Sequence, residues 1–194
     1  MENCSKCKSS HVSATNRYKY HDTYDCLCCG NWWHRRIETC CRKQFLIVTQ
    51  CHKFSPNTRL YEECTHCGGC MNRNTPLSFK KYSHEIEGPF YDVYFEEWKR
   101  EYQEEGRLLF EAKANFNYLN SKYFKYKNYL LSVEWKEKRW LVLERDNSLC
   151  QHCKTATAEN IHHLKYDNLF NEPLEDLLSL CMPCHEKEHQ SPID

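Results

Sequence analysis

The chain has 194 residues, and its 27 basic and 27 acidic side chains balance to a formal net charge of zero. Fifteen cysteines and a mean hydropathy of −0.86 argue against one large apolar core and favour several small units stabilised by metal. No apolar run approaches the roughly 20 residues that span a bilayer, which excludes an integral membrane protein and predicts a soluble one without a membrane partner.

The cysteine pattern argues against a secreted protein held together by disulfides. The cysteine count is odd, many cysteines fall in CxxC pairs, and no signal peptide opens the chain. These features predict a protein of the reducing cytoplasm whose thiols bind structural zinc.

Charge is distributed unevenly along the chain. Residues 1–81 carry 13 basic and 6 acidic side chains, residues 82–111 carry 3 and 9, residues 112–149 carry 8 and 4, and the final 45 residues carry 3 and 8. A basic N-terminal region suits a phosphate backbone, which predicts DNA as a partner. Four-thiolate zinc sites add negative charge, so this basic excess is an upper limit.

Residues 1–81 form the first predicted domain, a cysteine-rich region with the pattern of zinc ribbons. Cys4 and Cys7 make one CxxC pair and Cys26 and Cys29 a second, separated by an alternating polar and aromatic stretch typical of strands. Two tight turns that present four thiolates together predict a structural zinc site. Cys28 is then a spare thiol or an alternative ligand.

An aromatic and basic segment follows these pairs, in the order Trp32, Trp33, His34, Arg35 and Arg36. Aromatic surface beside positive charge suits stacking on bases and binding of phosphates. We therefore predict nucleic-acid contacts for Arg35 and Arg36. Packing of one Trp within a strand is an equal alternative for the aromatic part.

The rest of this domain holds more ligands than one zinc ion needs: Cys40, Cys41, Cys51, His52, Cys64, Cys67 and Cys70. We expect the ligands to be Cys41, Cys51, Cys64 and Cys67, with the other three as competitors. Gly68 and Gly69 permit a tight turn, and QFLIVTQC predicts a short buried strand. The domain is thus two ribbon-like units, or one elaborated unit, that serves target recognition or positioning.

Residues 82–128 are predicted to form a helical connector. Apolar residues from Leu109 to Leu130 recur at alternating steps of three and four, which is the spacing of a helix seam. Gly106 interrupts the segment, so it is either one weakened helix or a hairpin that turns there. The seam packs within the chain in our default interpretation, and a homodimer is the alternative.

The third predicted domain, residues 129–194, begins with a stretch that contains Arg139 and Arg145. A guanidinium group offers a planar fork suited to phosphate. We assign Arg139 to the cleaved phosphate and Arg145 to the DNA backbone. The alternative for each is a salt bridge with a neighbouring acidic residue.

Two CxxC pairs then bracket a His-His pair. Cys150 and Cys153 join Cys181 and Cys184 in the repeated spacing of a closed, structural zinc site. His152, inside the first pair, is expected to face solvent.

The histidines provide a second kind of site: His162, His163, His185 and His189. The HxxxH spacing places the last two on one face of a helix, one turn apart. If three imidazoles hold a metal and one stays free, the site has what phosphodiester hydrolysis needs.

With these cysteine pairs and histidines together, roughly residues 129–190 resemble the HNH, or ββα-metal, endonucleases. The resemblance includes zinc-knuckle bacterial and phage members and colicin-type relatives. The lead-in YLLSVEWKEKRWLVLERDNSLCQHC contributes to the resemblance. It implies a strand hairpin followed by a helix, and DNA cleavage that leaves 5′-phosphate and 3′-hydroxyl ends.

By position, the resemblance implies that His162 is the first metal ligand, His163 the general base, and His185 and His189 the later ligands. Asp176 stands where the family usually has Asn, and it keeps an orienting role through acceptor oxygens but without the amide donor. The catalytic metal is one divalent ion, Mg, Mn, Ni or Zn, and three imidazoles favour Zn, Ni, Co or Mn over Mg.

The sequence therefore predicts an α+β protein with N-terminal zinc ribbons, a helical connector and a C-terminal nuclease domain. Its hypothesised function is metal-dependent hydrolysis of DNA. A non-catalytic zinc-dependent nucleic-acid-binding protein and an RNA-directed nuclease are the alternatives.

Overall fold

The computed structural model describes residues 3–52 and 58–190. These residues form a mixed α+β structure of small sheets, helices and cysteine clusters that could bind zinc, which confirms the α+β part of the predicted fold class. The chain divides into two compact units, Met1–Phe116 (unit 1) and Asn117–Asp194 (unit 2). The segment predicted as a connector, residues 82–128, contributes helix to both units.

Unit 1 contains two small sheets. The first is antiparallel and consists of β1 (Val12–Arg17), β2 (His21–Cys26) and β3 (Trp32–Arg36), with β2 in the centre. The second consists of β4 (Leu46–Cys51), β5 (Arg59–Cys64) and β6 (Ile86–Pro89). Here β4 is central, antiparallel to β5 and parallel to β6, and it is the strand predicted from QFLIVTQC.

The helical part of unit 1 is one long helix preceded by a short one. α1 (Phe79–Tyr82) leads through a 3-10 turn to β6, and α2 (Asp92–Leu119) follows. α2 runs unbroken through Gly106, so the hairpin alternative is wrong. Arg107 bonds to Glu104 across this point and to Glu111 one turn further on, and such pairs support a helix that a glycine weakens.

Carboxylates of α2 hold the β1–β2 turn of the first sheet. Glu105 accepts hydrogen bonds from the backbone N–H groups of Lys19 (3.0 Å) and Tyr20 (2.8 Å), and its Oε1 lies 2.9 Å from His21 Nδ1. Tyr20 then packs with aromatic rings and cysteines into the core of unit 1. The turn is thereby fixed to the helix by charge and by packing.

Four CxxC pairs end in the same kind of turn. The residue after the second cysteine has a positive φ, and its N–H donates to the carbonyl of the first cysteine: Lys8, Gly30, Gly68 and Lys154. This geometry folds the backbone back on itself so that two sulfurs point to the same side. The predicted role of Gly68 in a tight turn is confirmed.

Unit 2 begins with two helices, α3 (Lys122–Tyr129) and α4 (Val133–Arg145). Ser121 and Ser132 cap them by accepting from the N–H groups of Phe124 and Trp135. The hairpin β7 (Asn160–His163) and β8 (Leu177–Leu180) and then α5 (Met182–Gln190) complete the unit. No helix in the described part of the chain has the length and apolar content needed to cross a membrane.

The core of unit 2 is small. It contains Trp135 and Val142 from α4, Ile161 from β7 and Leu177 from β8. These contacts pack the hairpin against α4. The histidines at the end of β7 are thereby fixed relative to that helix.

Replacing Gly68 by Ala is expected to destabilise unit 1 far more than replacing Gly30 by Ala. Both have positive φ, which costs an Ala about 1–2 kcal/mol. A Cβ on Gly30 meets open space, whereas one on Gly68 lies 2.5 Å from Tyr94 Cβ and 2.7 Å from its backbone. The clash adds about 1–3 kcal/mol. Chemical unfolding of the two variants measures the difference, and equal losses would contradict this packing.

Candidate metal centres and active site

Three groups of four cysteines bring their sulfurs within 4.8 Å of one another: Cys4, Cys7, Cys26 and Cys29; Cys40, Cys41, Cys64 and Cys67; and Cys150, Cys153, Cys181 and Cys184. Individual Sγ–Sγ distances include 3.5 and 3.6 Å in the first group, 3.8 Å in the second and 3.9 Å in the third. Four sulfurs at ~2.3 Å from a tetrahedral zinc ion lie about 3.8 Å apart. All three groups are geometrically suited to structural zinc.

The second group corrects the sequence prediction, because its fourth member is Cys40 and not the predicted Cys51. β4 pairs with β5 so that Leu46 faces Cys64 and Cys51 faces Arg59. Cys51 therefore lies about five residues, or roughly 16 Å, along the strand from the cluster. The adjacent Cys40 and Cys41 both reach it instead.

The other candidate ligands in this region lie outside the group. Thr58 Oγ1 lies 3.1 Å from His52 Nδ1, and the Cys70 thiol donates to Asn72 Oδ1 at 3.2 Å. Cys28 lies outside the first group and accepts a hydrogen bond from Ser9.

The third group lies beside the histidines and shows why a cation suits it. Hydrogen bonds from the side chain and backbone of Thr155 lower the pKa of Cys153 to about 5, which favours the thiolate. A hydrogen bond with Cys181 raises the pKa of Cys184 to about 12, because neighbouring sulfurs resist a second negative charge. A divalent cation among the sulfurs removes this repulsion.

The predicted metal ligands His162, His185 and His189 also come together, with candidate ligand nitrogens within 4.8 Å of one another. The Nε2 atoms of His185 and His189, one turn apart on α5, are 3.3 Å apart. The His162 ring on β7 lies 5.5 and 5.2 Å from their ring centroids. Two nitrogens at ~2.0–2.1 Å from a tetrahedral ion lie about 3.3–3.4 Å apart.

Two further observations fit a metal at this triad. His162 Nδ1 is buried and has no hydrogen-bond partner among the described residues. Burial, followed by the neighbouring imidazoles, lowers the pKa of His162 and of His185. Neutral imidazole is the form that binds metal, so the residues present suit a divalent ion that accepts nitrogen ligands.

His163 has quite different surroundings from His162, because adjacent residues of a strand point to opposite faces. Its ring is stacked between Trp135 (centroids 5.0 Å apart) and Tyr166 (5.3 Å), with the edge of Tyr126 nearby. Burial lowers the pKa of His163, and the carboxylate of Glu172 partly opposes this. The imidazole is neutral near pH 7 and free of the triad.

Glu172 is a candidate site residue that the sequence did not reveal. Its side chain is fully buried, and Oε1 lies 3.4 Å from His163 Nε2, an ion-pair distance rather than a well-formed hydrogen bond. Tyr129 and Lys138 donate to Oε2 at 2.5 and 3.0 Å, and the N–H of Phe170 donates to Oε1 at 2.9 Å.

Glu172 is ionised even though its side chain is buried. Burial raises the pKa of this carboxyl, but the hydrogen bonds from Tyr129, Lys138 and the backbone outweigh it and lower the pKa to about 2. Glu172 is thus a fixed negative charge beside His163. No periodic or ligand-spacing pattern in the sequence marks this loop residue.

Asp176 lies in a 3-10 turn, Leu174–Asp176, before β8. Its backbone carbonyl accepts from the N–H of Leu164 at 2.8 Å, and its carboxylate accepts from Asn168 at 3.3 Å. These bonds tie together the two ends of the loop after His163. Its side chain does not line the histidine pocket described below.

The predicted arginines differ in position. Arg139 donates to the carbonyl of Glu159 and, with all four histidines, lines a pocket of about 240 Å³. Arg145 forms a two-bond ion pair with Asp146 and donates to the carbonyls of Leu174 and Leu177. Its guanidinium group therefore serves the fold of unit 2, which is the alternative that the sequence left open.

Arg35 and Arg36 lie on β3 and are exposed. The guanidinium group of Arg36 lies 4.6 Å from the centroid of the Tyr102 ring. His152 pairs with Glu188 at 3.2 Å and lies outside the triad, as expected.

No protein-family model, curated protein or solved structure matches the chain.

Replacing Cys40 by Ser is expected to remove one bound zinc ion, whereas replacing Cys51 by Ser leaves the zinc content unchanged. Cys40 belongs to the second sulfur group and Cys51 does not. Native mass spectrometry counts zinc ions per chain in both variants. Loss of zinc from the Cys51 variant alone would contradict the assignment.

Replacing Glu172 by Gln is expected to loosen the β7–β8 hairpin by about 3 kcal/mol, because breaking a buried ion pair leaves Lys138 without its partner. Replacing Tyr129 by Phe removes one hydrogen bond to a charged group and costs about 1.5–3 kcal/mol. Hydrogen exchange of the β7 amides measures both effects, with the amides of unit 1 as the internal control. Unchanged exchange in the Gln variant would disprove the role of this carboxylate in the fold.

Proposed function

We propose that the protein is a metal-dependent endonuclease that hydrolyses DNA phosphodiester bonds in the pocket of unit 2. The observation that carries the proposal is a triad of imidazoles with metal-ligand spacing next to a separate buried imidazole in the same pocket. These are the two groups that metal-assisted hydrolysis needs, a metal site and a base. The hairpin β7–β8 followed by α5 supports the resemblance to the ββα-metal endonucleases.

His162, His185 and His189 are the residues that would hold the metal. A divalent ion there would supply a positive charge that stabilises the negative charge of the scissile phosphate. Harder ions such as Mg²⁺ suit this nitrogen-rich set less well than Zn²⁺, Ni²⁺, Co²⁺ or Mn²⁺ do.

His163 would take a proton from the attacking water. Its lowered pKa keeps it unprotonated near neutral pH, and Trp135 and Tyr166 on its two faces fix the plane of the ring. Glu172 stabilises the imidazolium that forms when His163 accepts the proton. Arg139, which lines the same pocket, would contact the phosphate that is cleaved.

The N-terminal zinc modules of unit 1 would bind and position the DNA. Their basic excess and the exposed arginines of β3 suit the phosphate backbone. In this proposal unit 2 performs the chemistry and unit 1 increases affinity for the substrate.

The proposal predicts that purified protein cuts supercoiled plasmid, that EDTA stops the reaction, and that adding back Mn, Ni or Zn restores it. Replacing His163 by Ala should lower the cleavage rate about 100-fold or more, the usual contribution of a general base. His84 is an exposed histidine of unit 1, and replacing it by Ala should leave the cleavage rate unchanged.

Zinc content of each variant controls for folding. Cleavage by the His163 variant at the parental rate, or no cutting of plasmid, single-stranded DNA or RNA under any metal, would contradict the proposal. Preferential cutting of matched RNA would redirect it to an RNA-directed nuclease, and activity with Mg alone would argue against three histidine ligands.

A further inference from the structure

A second pocket lies wholly within unit 1, where β3, the segment after β5 and α2 meet. Its volume is about 480 Å³, within the range of sites for small molecules or single nucleotides. We call this pocket the unit 1 basic pocket, and its lining includes Arg36, Met71, Arg73, Lys99 and Tyr102.

The pocket is predominantly positive. Three cations line it, and Glu96 is the acidic residue among its lining side chains. Glu96 lies 3.7 Å from Lys99, and both side chains are about half exposed, so their ion pair is weak and leaves Lys99 able to bind another anion. Arg73 pairs with Asp92 at 3.2 Å and lies over the Tyr61 and Phe90 rings, which makes it a fixed part of the wall.

Arg36 is the cation best placed for a ligand. Its guanidinium group lies 4.6 Å from the Tyr102 centroid, and its described hydrogen bond goes to the sulfur of Met71 at 2.8 Å. A thioether is a weak acceptor, whereas a phosphate oxygen accepts a charge-assisted bond from the same group. An anion that enters the pocket therefore replaces a poor partner with a good one.

The aromatic wall is rigid before any ligand arrives. Tyr102 stacks on His21 (interplanar angle 12°) and on Trp98 (13°), and Trp98 Nε1 donates to the carbonyl of Cys40 at 2.9 Å. This connects the wall to the second sulfur group. A preformed wall loses little conformational entropy when it binds a planar group.

We propose that the unit 1 basic pocket binds an unpaired nucleotide of single-stranded DNA. Arg36 and Lys99 contact its phosphate, and the base packs against Met71 and the exposed edge of Tyr102, since His21 and Trp98 already stack on the Tyr102 ring. A pocket of this size admits one nucleotide, and its base must be unstacked to enter, which selects single strands over intact duplex. The choice of nucleic acid over other phosphate compounds rests on the proposed function.

The test uses the full chain carrying His163→Ala, so that binding is measured without cleavage. Fluorescence anisotropy follows binding of a labelled oligo(dT) and of a matched duplex to this protein. Adding Arg36→Ala is expected to weaken oligo(dT) binding about tenfold, the loss of one charge-assisted bond. It should also reduce the slope of log binding constant against log salt concentration by about 0.7 in magnitude, which is the change expected when one phosphate contact to a single strand is lost.

Two further variants separate the pocket from general charge. Met71→Glu places a carboxylate beside Arg36 and should weaken binding at least as much. Arg100→Ala removes an exposed cation of α2 that lies outside the pocket lining, and it should leave binding unchanged. Zinc content reports on the fold of each variant.

Equal binding by the Arg36, Met71 and parent proteins would overturn the proposal, as would an equal loss in the Arg100 variant or a preference for duplex. Displacement of oligo(dT) by thymidine 5′-monophosphate at similar concentrations would assign the pocket to free nucleotides instead. Every protein in this binding test carries His163→Ala, so the results do not depend on nuclease activity. Failure of the nuclease proposal and failure of the binding proposal can therefore be distinguished.

Discussion

Convergence of four thiolates on one centre is the interaction on which both units depend. Nine of the 22 buried hydrophobic side chains in the described residues are cysteines, and only seven are aliphatic. A core of this kind cannot hold a domain through apolar burial alone. Structural zinc in small domains contributes about 10–16 kcal/mol, which is comparable to the whole stability of a typical protein. Folding of both units is therefore expected to require metal.

The same constraint positions the candidate active site. Cys181 and Cys184 belong to the third sulfur group and lie at the start of α5, directly before His185. A metal bound to these sulfurs fixes the rotation of the helix about its axis. It thereby directs His185 and His189 toward His162 on β7, while strand alternation turns the neighbouring His163 toward Trp135. The two adjacent histidines of β7 therefore have different surroundings, His162 in the imidazole triad and His163 against Trp135.

Much of this arrangement follows from short-range patterns in the sequence. The CxxC pairs, the HxxxH face and the strand in QFLIVTQC each depend on residues close in the chain, and the structure places them as expected. Features that depend on strand register or on tertiary contacts could not be predicted from the sequence. Spacing along the chain does not show that β4 places Cys51 opposite Arg59, far from Cys64, so the sequence could not identify Cys40 as the ligand. α2 continues through Gly106, where Arg107 pairs with Glu104 and Glu111 and Glu105 bonds to the β1–β2 turn, and the local sequence shows only the glycine.

Glu172 is the clearest limit of sequence reasoning here. A loop carboxylate is normally solvated, and only the fold shows that Tyr129, Lys138 and a backbone N–H converge on this one. Arg145 shows the converse, since the guanidinium group that suits phosphate is used by Asp146 and two carbonyls. Residue type indicates what a side chain can do, and the partners it finds decide what remains available for function.

Anomalous diffraction from crystals grown with Mn²⁺ or Co²⁺ would locate each bound metal and identify its ligands. We expect three ions bound by four sulfurs each at ~2.3 Å, and one held by the nitrogens of His162, His185 and His189 at about 2.0–2.2 Å, with His163 unligated. An empty triad at saturating metal, or an ion bound by His163, would contradict this assignment.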